Sequence, residues 1–467
     1  MTRDAIGALT GDDSTEHTSN RKSPAVFASV RWASCLAMLG VGANSTAIMA
    51  ALPAVQVELT LTANGVQWAV NAYLIVSAAA IVVGGQAADR FGARLTSMAG
   101  LALFTLASCI IALGGSQAAL FVGRALQGLS AALAVPGTLA AVDASAPAER
   151  RAAATGAWTG FLMLGFSIGP LLGGALTHFA GWRVIFWLNV PLMLSAVAGF
   201  AYAGMATDLD RPPPRRAADW TGFALLATFM VALVFGLHEV PQVRTEPLGV
   251  IVPFAVAAAA LCLLLVVESR VKAPLVDLTF FARRAFVTGV EIGALSMFSI
   301  MSLLLYFNLY AQSGKGLRLT ALEAGAALLP LSAALLALAL SAATAVQRLG
   351  LRNAMMGGMA LIAAGSGILA VATAGDRLLL GAIGFLVTGA GLALPYALAP
   401  RLALSALSPA QKGQGSGIVN GCTFLAGSTG VAIGAIAFAL GRFVGVLTVI
   451  ALAGLVGVAI SSRISDR

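Results

Sequence analysis

"LGFSIGPLLGG", at residues 164–174, lies in the middle of an apolar stretch that is long enough to cross a lipid bilayer. Its four glycines and one proline mark a weak point, because proline lacks a backbone N–H and clashes with the carbonyl four residues earlier. The whole chain is similarly apolar: of its 467 residues 59% are hydrophobic and 10% are charged, and the mean hydropathy is +0.91. Since a soluble domain carries about 25% charged residues, the composition predicts an all-α integral membrane protein.

Apolar segments of about 20 residues recur along the chain, and each is long enough to form a transmembrane helix. We predict fourteen such spans, at 33–53, 67–87, 97–114, 117–142, 153–177, 184–204, 219–238, 248–267, 285–310, 322–345, 354–374, 377–400, 414–440 and 442–460. The last two spans are separated by very few residues, so the number fourteen depends on a tight turn between them.

The basic residues are distributed unevenly between the two sides of the predicted membrane. With the N-terminus inside, the cytoplasmic segments hold 21 of the 28 Lys and Arg residues and the outer loops hold six. The remaining one, Arg124, lies within a span. This asymmetry follows the positive-inside rule and predicts that both termini are cytoplasmic. The net charge of +9 is thereby a consequence of topology and does not indicate nucleic-acid binding.

An internal repeat relates the two ends of the chain. A shift of 261 residues places Gly128 on Gly389, Gly156 on Gly417, Gly160 on Gly421, Gly169 on Gly430 and Gly173 on Gly434. The loop sequence DRFGAR (89–94) also resembles QRLGLR (347–352). Self-similarity in one register over several spans predicts two homologous halves.

The repeat divides the chain into units. We predict a disordered cytoplasmic tail (1–26), an N-terminal six-helix bundle (27–207) and a C-terminal six-helix bundle (273–467). Residues 208–272 then form a linker and an inserted pair, spans 7 and 8, which has no partner in the repeat. Two parallel halves with a site between them, at the middle of the membrane, are typical of alternating-access transporters.

Five motifs together identify a family. They are GQAADRFGAR (85–94), RALQGLSAA (124–132), GFSIGPLLGG (165–174), GWRVIFWLNVP (181–191) and PLVDLTFF (274–281). With these motifs the chain resembles the major facilitator superfamily, specifically its fourteen-helix drug:proton antiporter branch of the EmrB/QacA type. The resemblance covers nearly all of the chain after the tail. It implies the major facilitator fold, two six-helix bundles plus two inserted helices, and export of drugs in exchange for protons.

The motif quoted first corresponds to the antiporter motif of that branch. Its hinge residues are Gly165, Gly169, Pro170, Gly173 and Gly174. Small residues at positions i and i+4 let two helix backbones approach closely, and the proline adds a fixed bend. The resemblance implies that this hinge hinders leakage through the central cavity, whereas tight packing alone is the alternative explanation for the glycines.

A second motif predicts a conformational switch on the cytoplasmic side. Its residues are Gly85, Asp89, Arg90, Gly92 and Arg94, and the resemblance adds Gly415 and Ser416 as the partner region. The positive end of a helix dipole favours an anion, so Asp89 is expected at the start of span 13 when the cytoplasmic side is closed. A solvated turn is the alternative.

Charged residues inside spans mark candidate sites for proton coupling. Arg124 lies about 10 Å into span 4, and an arginine there costs at least ~2.5–3.5 kcal/mol unless it is paired or hydrated. Members of the branch carry an acid in helix 1, but this chain has Asn44, which cannot release a proton. Glu291 in span 9 is then the candidate proton carrier. The alternatives are an Arg124 that snorkels outward and a Glu291 at the rim of a water-filled vestibule.

A substrate cavity is expected on the central spans, with a few polar groups among apolar and aromatic ones. The candidates are Asn44, Asn71, Gln127, Trp158, Phe298, Tyr306, Asn308, Tyr310, Asn420 and Phe424. Packing inside the bundles is the alternative role for the aromatic members.

The sequence therefore predicts a multidrug or toxic-metabolite exporter in the bacterial inner membrane that works by proton-coupled antiport. The expected partners are a lipophilic or cationic small molecule, protons and membrane lipid, without a cofactor or metal; an adaptor protein is compatible with a monomeric transporter. The loss of the helix 1 acid leaves a differently coupled exporter or uniporter-like carrier of an endogenous metabolite as the alternative. A membrane enzyme or sensor is disfavoured, since no metal-ligand cluster, nucleophile–base pair or phosphate loop is evident.

Overall fold

A computed structural model describes residues 24–206, 219–243, 245–271, 274–375, 377–408 and 411–464. Within these residues every regular element is a helix. Most of the predicted tail and the break at 208–218 lie outside the described residues. The prediction of an all-α membrane protein is confirmed.

Fifteen α-helices are present in the described part of the chain. They are α1 (Pro24–Glu58), α2 (Ala63–Phe91), α3 (Ala93–Leu113), α4 (Gln117–Ser145), α5 (Arg151–Ala180), α6 (Arg183–Ala206), α7 (Trp220–Glu239), α8 (Pro247–Glu268), α9 (Arg284–Gln312), α10 (Ala321–Ala327), α11 (Leu329–Leu340), α12 (Ala342–Leu349), α13 (Leu351–Ala374), α14 (Leu378–Ser405) and α15 (Lys412–Ser461).

Twelve of these helices are long and apolar enough to span a membrane, and the bent pair α10–α11 would make thirteen spans. The last helix, α15, has 50 residues, which at 1.5 Å per residue is far longer than the ~30 Å thickness of a bilayer core. Its backbone leaves the helical conformation at Gly441 and Arg442. This break falls where the sequence predicts the turn between spans 13 and 14. The count of fourteen stays a prediction, which the break supports.

Equivalent glycines of the two halves approach equivalent helices. Gly169 of α5 lies against α1, and its repeat partner Gly430 of α15 lies against α9. In the same way Gly128 of α4 packs on α2, and Gly389 of α14 packs on α11. At these positions the 261-residue register pairs glycines with the same packing role, whereas Gly156 and Gly160 meet no atom within 4 Å and their partners Gly417 and Gly421 approach α2.

The turns between helices follow the repeat as well. Gly92, between α2 and α3, has φ 91°, and Gly350, at the corresponding place between α12 and α13, has φ 78°. Gly181 between α5 and α6 has φ 84°, and the register places it on Arg442, which has φ 52°. A positive φ suits glycine. Arg442 therefore adopts the same kind of turn as Gly181 at a steric cost.

The inserted pair α7–α8 lies over a seam between the two halves. The two helices pack on each other, and α7 also contacts α2 of the first half and α15 of the second. Most of the large apolar side chains of α8 are exposed, as expected for a helix that faces lipid. The insertion thus covers the place where α2 and α15 meet.

The halves also meet along two other lines. Gly174 of α5 faces Gly325 of α10, where a Cβ on Gly174 would lie 3.4 Å from the Gly325 Cα. Between α1 and α9, the Gln312 amide donates to the Ala50 carbonyl at 2.9 Å. These contacts surround the space between the bundles in which the candidate site lies.

Candidate functional site

Arg124 is completely buried in the first half. Its side chain is 0% exposed, Nε donates to the Ala69 carbonyl at 2.9 Å, and Nη1 donates to Oε1 of Gln127 at 2.8 Å. The guanidinium carbon lies 4.5 Å from the centre of the Tyr73 ring, which is a cation–π geometry. Full burial between α2 and α4 does not agree with an arginine that snorkels to the outer interface.

A network of amides surrounds this arginine. Gln127 donates to Oγ of Ser108 at 3.0 Å and lies within 3.5 Å of the Asn44 amide. The Asn44 Oδ1 also accepts from Nδ2 of Asn189 at 2.9 Å. The network therefore joins α1, α3, α4 and α6, and it brings the predicted pair Arg124 and Asn44 to the same atom, Oε1 of Gln127, which accepts from both. Asn189, which lies in the GWRVIFWLNVP motif, is a member that the sequence analysis did not single out.

The positive charge at this site has no acidic partner in the described structure. Arg124 forms no ion pair there, and its Nη2 is buried without a hydrogen-bond acceptor. Amide dipoles and the Tyr73 ring stabilise the charge instead. A buried cation with one unused donor is costly, so the site is ready to accept an additional acceptor group.

The hinge motif packs α5 tightly on α1. Gly165 and Gly169 lie against Ala43, and Gly173 lies against Ala47, in each case close enough to contact backbone atoms of α1. Such approaches have no room for a Cβ, which explains why these positions need glycine.

The proline of the hinge has a specific partner on α1. Pro170 lacks the N–H that would bond to the carbonyl of Phe166, four residues earlier. The hydroxyl of Thr46 donates to that carbonyl at 3.2 Å. A neighbouring helix therefore satisfies the group that the proline leaves free, as membrane helices with proline require.

A small cavity lies beside this proline, between the two halves. Its volume is ≈ 20 Å³, which holds a water molecule and not a drug-sized ligand. The first half contributes Thr46, Met163, Phe166 and Pro170, and the second contributes Ile300, Leu303, Leu304, Leu331, Leu335, Leu392 and Tyr396. Nearly all of these side chains are apolar. Binding of a drug in this place requires the halves to separate.

The residues predicted for the cavity instead make contacts within and between helices. Asn71 bonds to His238 and Ser428, Trp158 donates to Thr138 at 3.0 Å, and Tyr306 donates to the Val431 carbonyl at 2.6 Å.

Asn308 bonds to the Leu304 carbonyl and to Gln312, Asn420 bonds to the Ser416 carbonyl, and Tyr310 stacks on Phe443. Phe424 meets the edge of Tyr73, and the Phe298 backbone contacts Gly430. Asn44 and Gln127 belong to the arginine network, and none of the ten lines the small cavity.

Glu291 lies on the first half of α9 and is half-buried. It forms no hydrogen bond or ion pair with any residue of the described part of the chain. Ionisable residues inside spans commonly have functional roles, so Glu291 stays a candidate carrier.

The predicted switch residues lie where α2 ends. Asp89 and Arg90 are exposed, Gly92 provides the positive φ between α2 and α3, and half-buried Arg94 reaches toward Gly204 of α6. Gly85 has open space on its Cβ side.

Near the switch, α2 already contacts the start of α15. A Cβ on Gly417 would lie 3.3 Å from the Val82 Cα, about two turns before the end of α2. Gly415 is buried against Leu407, and the Ser416 carbonyl accepts from Asn420. The packing brings α2 and α15 together, while a contact of Asp89 with α15 stays a prediction.

Comparisons with known proteins agree with this architecture. A family model described as Major Facilitator Superfamily matches residues 34–431. The tetracenomycin C resistance and export protein of Streptomyces glaucescens is 31% identical over 84% of this chain and 72% of its own. The multidrug resistance protein Stp of Mycobacterium tuberculosis is 30% identical over 82% and 70%. The cephamycin export protein CmcT of Amycolatopsis lactamdurans is 30% identical over 85% and 82%.

A solved structure shares the fold. It is an auto-inhibited peptide transporter of the POT family, which superposes with a TM-score of 0.69 over 95% of this chain and 98% of its own. At 15% sequence identity this likeness concerns the fold alone.

Proposed function

The chain belongs to the major facilitator superfamily, and on that premise we propose that it exports lipophilic or cationic drug-like molecules by proton-coupled antiport. The observation that carries this proposal is the apolar cavity between the halves, beside the Pro170 hinge. Names of relatives that refer to drug resistance and export support the substrate class. In this proposal the protein is a monomer in the bacterial inner membrane, has both termini in the cytoplasm and needs no cofactor.

Alternating access explains how a cavity of this size could serve transport. In the outward- and inward-open arrangements the bundles separate on one side, and the leucines of the second half and Phe166 of the first then form the walls of a larger apolar site. Substrate enters from the cytoplasm or inner leaflet and leaves on the outer side. Each ligand shifts this equilibrium only by binding one arrangement more tightly than the other.

The proton gradient supplies the driving force in this mechanism. The membrane potential contributes about 2.3 kcal/mol per charge per 100 mV. Glu291 is the proposed proton carrier. Arg124 and Asn44 form a polar site, and the surroundings of the Arg124 charge change when the bundles move. Asn44 itself cannot release a proton and is held by Gln127 and Asn189.

Asn44 also supports the second candidate function, a differently coupled or uniporter-like carrier. The two functions are separated by reconstituting the purified protein in liposomes that contain a pH-sensitive dye, with ethidium as the probe substrate. Antiport predicts that addition of ethidium drives protons across the membrane, and that Glu291→Gln reduces this signal while ethidium still binds. Ethidium transport without proton movement would overturn antiport, and absence of any transport of a panel of lipophilic cations and neutral drugs would overturn the export proposal.

Drug-susceptibility profiles of a pump-deficient strain provide the cellular test. The wild type, Asn44→Asp and Glu291→Gln are expressed at equal levels and compared. We expect resistance from the wild type and a loss with Glu291→Gln.

A further inference from the structure

The inserted pair carries a buried histidine that the sequence analysis assigned no role. His238 is the penultimate residue of α7 and is 2% exposed. Its ring stacks on the indole of Trp68 from α2, with 5.1 Å between the ring centres. A titratable side chain enclosed this completely, at the contact between the insertion and the first half, calls for a physical explanation.

Its hydrogen bonds define which ring nitrogen carries the proton. Nδ1 lies 2.8 Å from the Val234 carbonyl, and a carbonyl can only accept, so Nδ1 donates. In the neutral ring Nε2 is then an acceptor, and it lies 3.2 Å from the Nδ2 of Asn71, which donates to it. The Oδ1 of Asn71 in turn accepts from Oγ of Ser428 at 2.9 Å. All three side chains are satisfied when His238 is neutral.

This chain of bonds connects three parts of the molecule. His238 belongs to the inserted pair, Asn71 to α2 of the first half, and Ser428 to α15 of the second half. Asn71 and Ser428 are both 0% exposed. The link between Asn71 and Ser428 therefore joins the halves at the seam that α7 covers.

A proton on Nε2 would disrupt this arrangement. Nε2–H would then face the NH₂ group of Asn71, so two donors would oppose each other at hydrogen-bond distance. The Asn71 amide would have to turn so that Oδ1 accepts from His238. That turn withdraws Oδ1 from Ser428, so the bond that joins the halves must break, or re-form with its donor and acceptor exchanged.

No charged side chain in the described part of the chain balances a proton at this place. The helix α2 presents Trp68 and Asn71, and α15 presents Ser428 through Asn71. On its own helix the neighbouring Glu239 reaches toward α8, with Oε2 4.0 Å from where a Cβ on Gly249 would lie. A proton added to His238 would therefore be stabilised by the cation–π contact with Trp68, and it would otherwise act directly on the hydrogen bonds that join His238, Asn71 and Ser428.

The position along α7 determines from which side a proton arrives. His238 is one residue from the end of the helix, and the residues that follow, Gln242 and Val243, are exposed. By the alternation of spans this is the end of the protein opposite to the N-terminus, which is the proposed outer side.

We propose that His238 is a proton-binding site of the transporter, and that its protonation from the outer side turns the Asn71 amide, disrupts the Asn71–Ser428 link and favours the outward-open arrangement. The link to transport rests on the proposed antiport. The conformational effect does not depend on it. Proton uptake at an outer site that opens the outer side would help to discharge the substrate there.

Spin-label distances across the outer side test the proposal without a substrate. One label replaces Leu113 at the end of α3 and the other replaces Leu378 at the start of α14, where the side chains are 74% and 76% exposed. The native cysteines are first replaced. Distances are measured between about pH 8 and about pH 5.5, the range in which a histidine titrates. The variants are His238→Gln, Ser428→Ala and, as a matched control, His178→Gln, an exposed histidine on α5.

The expected result is a rise of the longer-distance population at low pH, about fivefold, as for the loss of one neutral hydrogen bond. His238→Gln should abolish this rise and keep the high-pH distribution, because glutamine still accepts from Asn71. Ser428→Ala should show the longer distance at every pH, and His178→Gln should behave as the wild type. A pH response in His238→Gln equal to that of the wild type would overturn the proposal. Proton–drug exchange is measured separately in liposomes, so failure of antiport is distinguishable from failure of this site.

Discussion

Replacing Gly173 by Ala tests whether the close approach of α5 and α1 is essential for the fold. An added Cβ would lie 2.7 Å from both the carbonyl carbon and the Cα of Ala47. These are backbone atoms of a helix, which cannot rotate away, so α1 and α5 would have to move apart. Overpacking of this kind typically costs ~1–3 kcal/mol, and we expect Gly173→Ala to lose stability in that range.

The same helix offers matched controls. Gly156 and Gly160 also belong to α5, but an added Cβ at either position would meet no atom within 4 Å. Alanine there avoids overpacking and gains up to ~1 kcal/mol of helix propensity over glycine. The propensity gain is the same at Gly173 and cancels in the comparison, so the structure predicts that Gly173→Ala is less stable than Gly156→Ala by the overpacking cost alone, ~1–3 kcal/mol.

Thermal unfolding in detergent, followed by tryptophan fluorescence, measures this difference. All variants are heated at the same rate, because irreversible unfolding makes the midpoint depend on scan rate. A Gly173→Ala protein that unfolds with Gly156→Ala or above it would refute the packing argument. Drug efflux by the folded variants would then report whether the hinge must stay closely packed for transport.

Three further substitutions test other parts of the description. Arg442→Gly should raise stability by about 1 kcal/mol, since glycine tolerates the positive φ that strains an arginine; an unchanged unfolding midpoint would contradict it. Thr46→Val keeps the shape but leaves the Phe166 carbonyl without its donor, which should cost ~1–3 kcal/mol in the same assay; a stability equal to the wild type would show that this bond is dispensable. Asn44→Asp places a carboxylate next to Gln127, whose Oε1 accepts from both Asn44 and Arg124; at a separation of about 6 Å and an effective dielectric constant of ~20 such a charge pair attracts by about 3 kcal/mol. Efflux measured against pH should become more pH-dependent, and an unchanged profile would count against an interacting pair.

The sequence predicted most of the architecture because the relevant signals are repeated along it. Apolar length, basic-residue asymmetry and the 261-residue register each depend on many positions, so a few exceptions do not alter them. The turn at Gly92, for example, recurs at Gly350 with the same positive φ. The break at Gly441 was predicted from the length of the apolar stretch and not from its composition, since the chain is apolar on both sides of it.

The candidate site was less predictable, because apolar contacts carry no distinctive residue type. Most of the residues that line the cavity are leucines and other apolar residues, which occur throughout such a chain; of the lining residues, Pro170 had been predicted, as part of the hinge. Polar candidates such as Asn71 were noticed because they are rare in spans. The structure shows Asn71 bonded to α7 and α15, whereas Asn308 and Asn420 bond within their own helices. His238 was assigned no role, since its side-chain partners Asn71 and Trp68 are 167 and 170 residues away along the chain.

The proline makes the two halves mechanically unequal despite their shared packing. In the first half Pro170 interrupts the hydrogen bonds of α5, and Thr46 holds the free Phe166 carbonyl from outside. A bond from a neighbouring helix can break and re-form when the helices slide, whereas a bond within a helix cannot do so without unwinding it. The helix α5 can therefore bend at this point beside the cavity, which its repeat counterpart in α15 cannot do in the same way; the second half has its own breaks beside the cavity, at Pro395 of α14 and in the bent pair α10–α11.

At the corresponding position of the second half, α15 has no proline. Val431 stands where the repeat would place a proline, and its carbonyl accepts from Tyr306 of α9 at 2.6 Å. Ser302 donates in the same way to the Gly430 carbonyl at 2.8 Å. These bonds are added to a part of α15 that has no proline and lies before its break at Gly441, so this part of α15 should move with α9 as one body. Hydrogen exchange of the amides should accordingly be faster at 167–174 than at 428–435, and equal protection of the two segments would mean that Pro170 shapes the helix without making it bend.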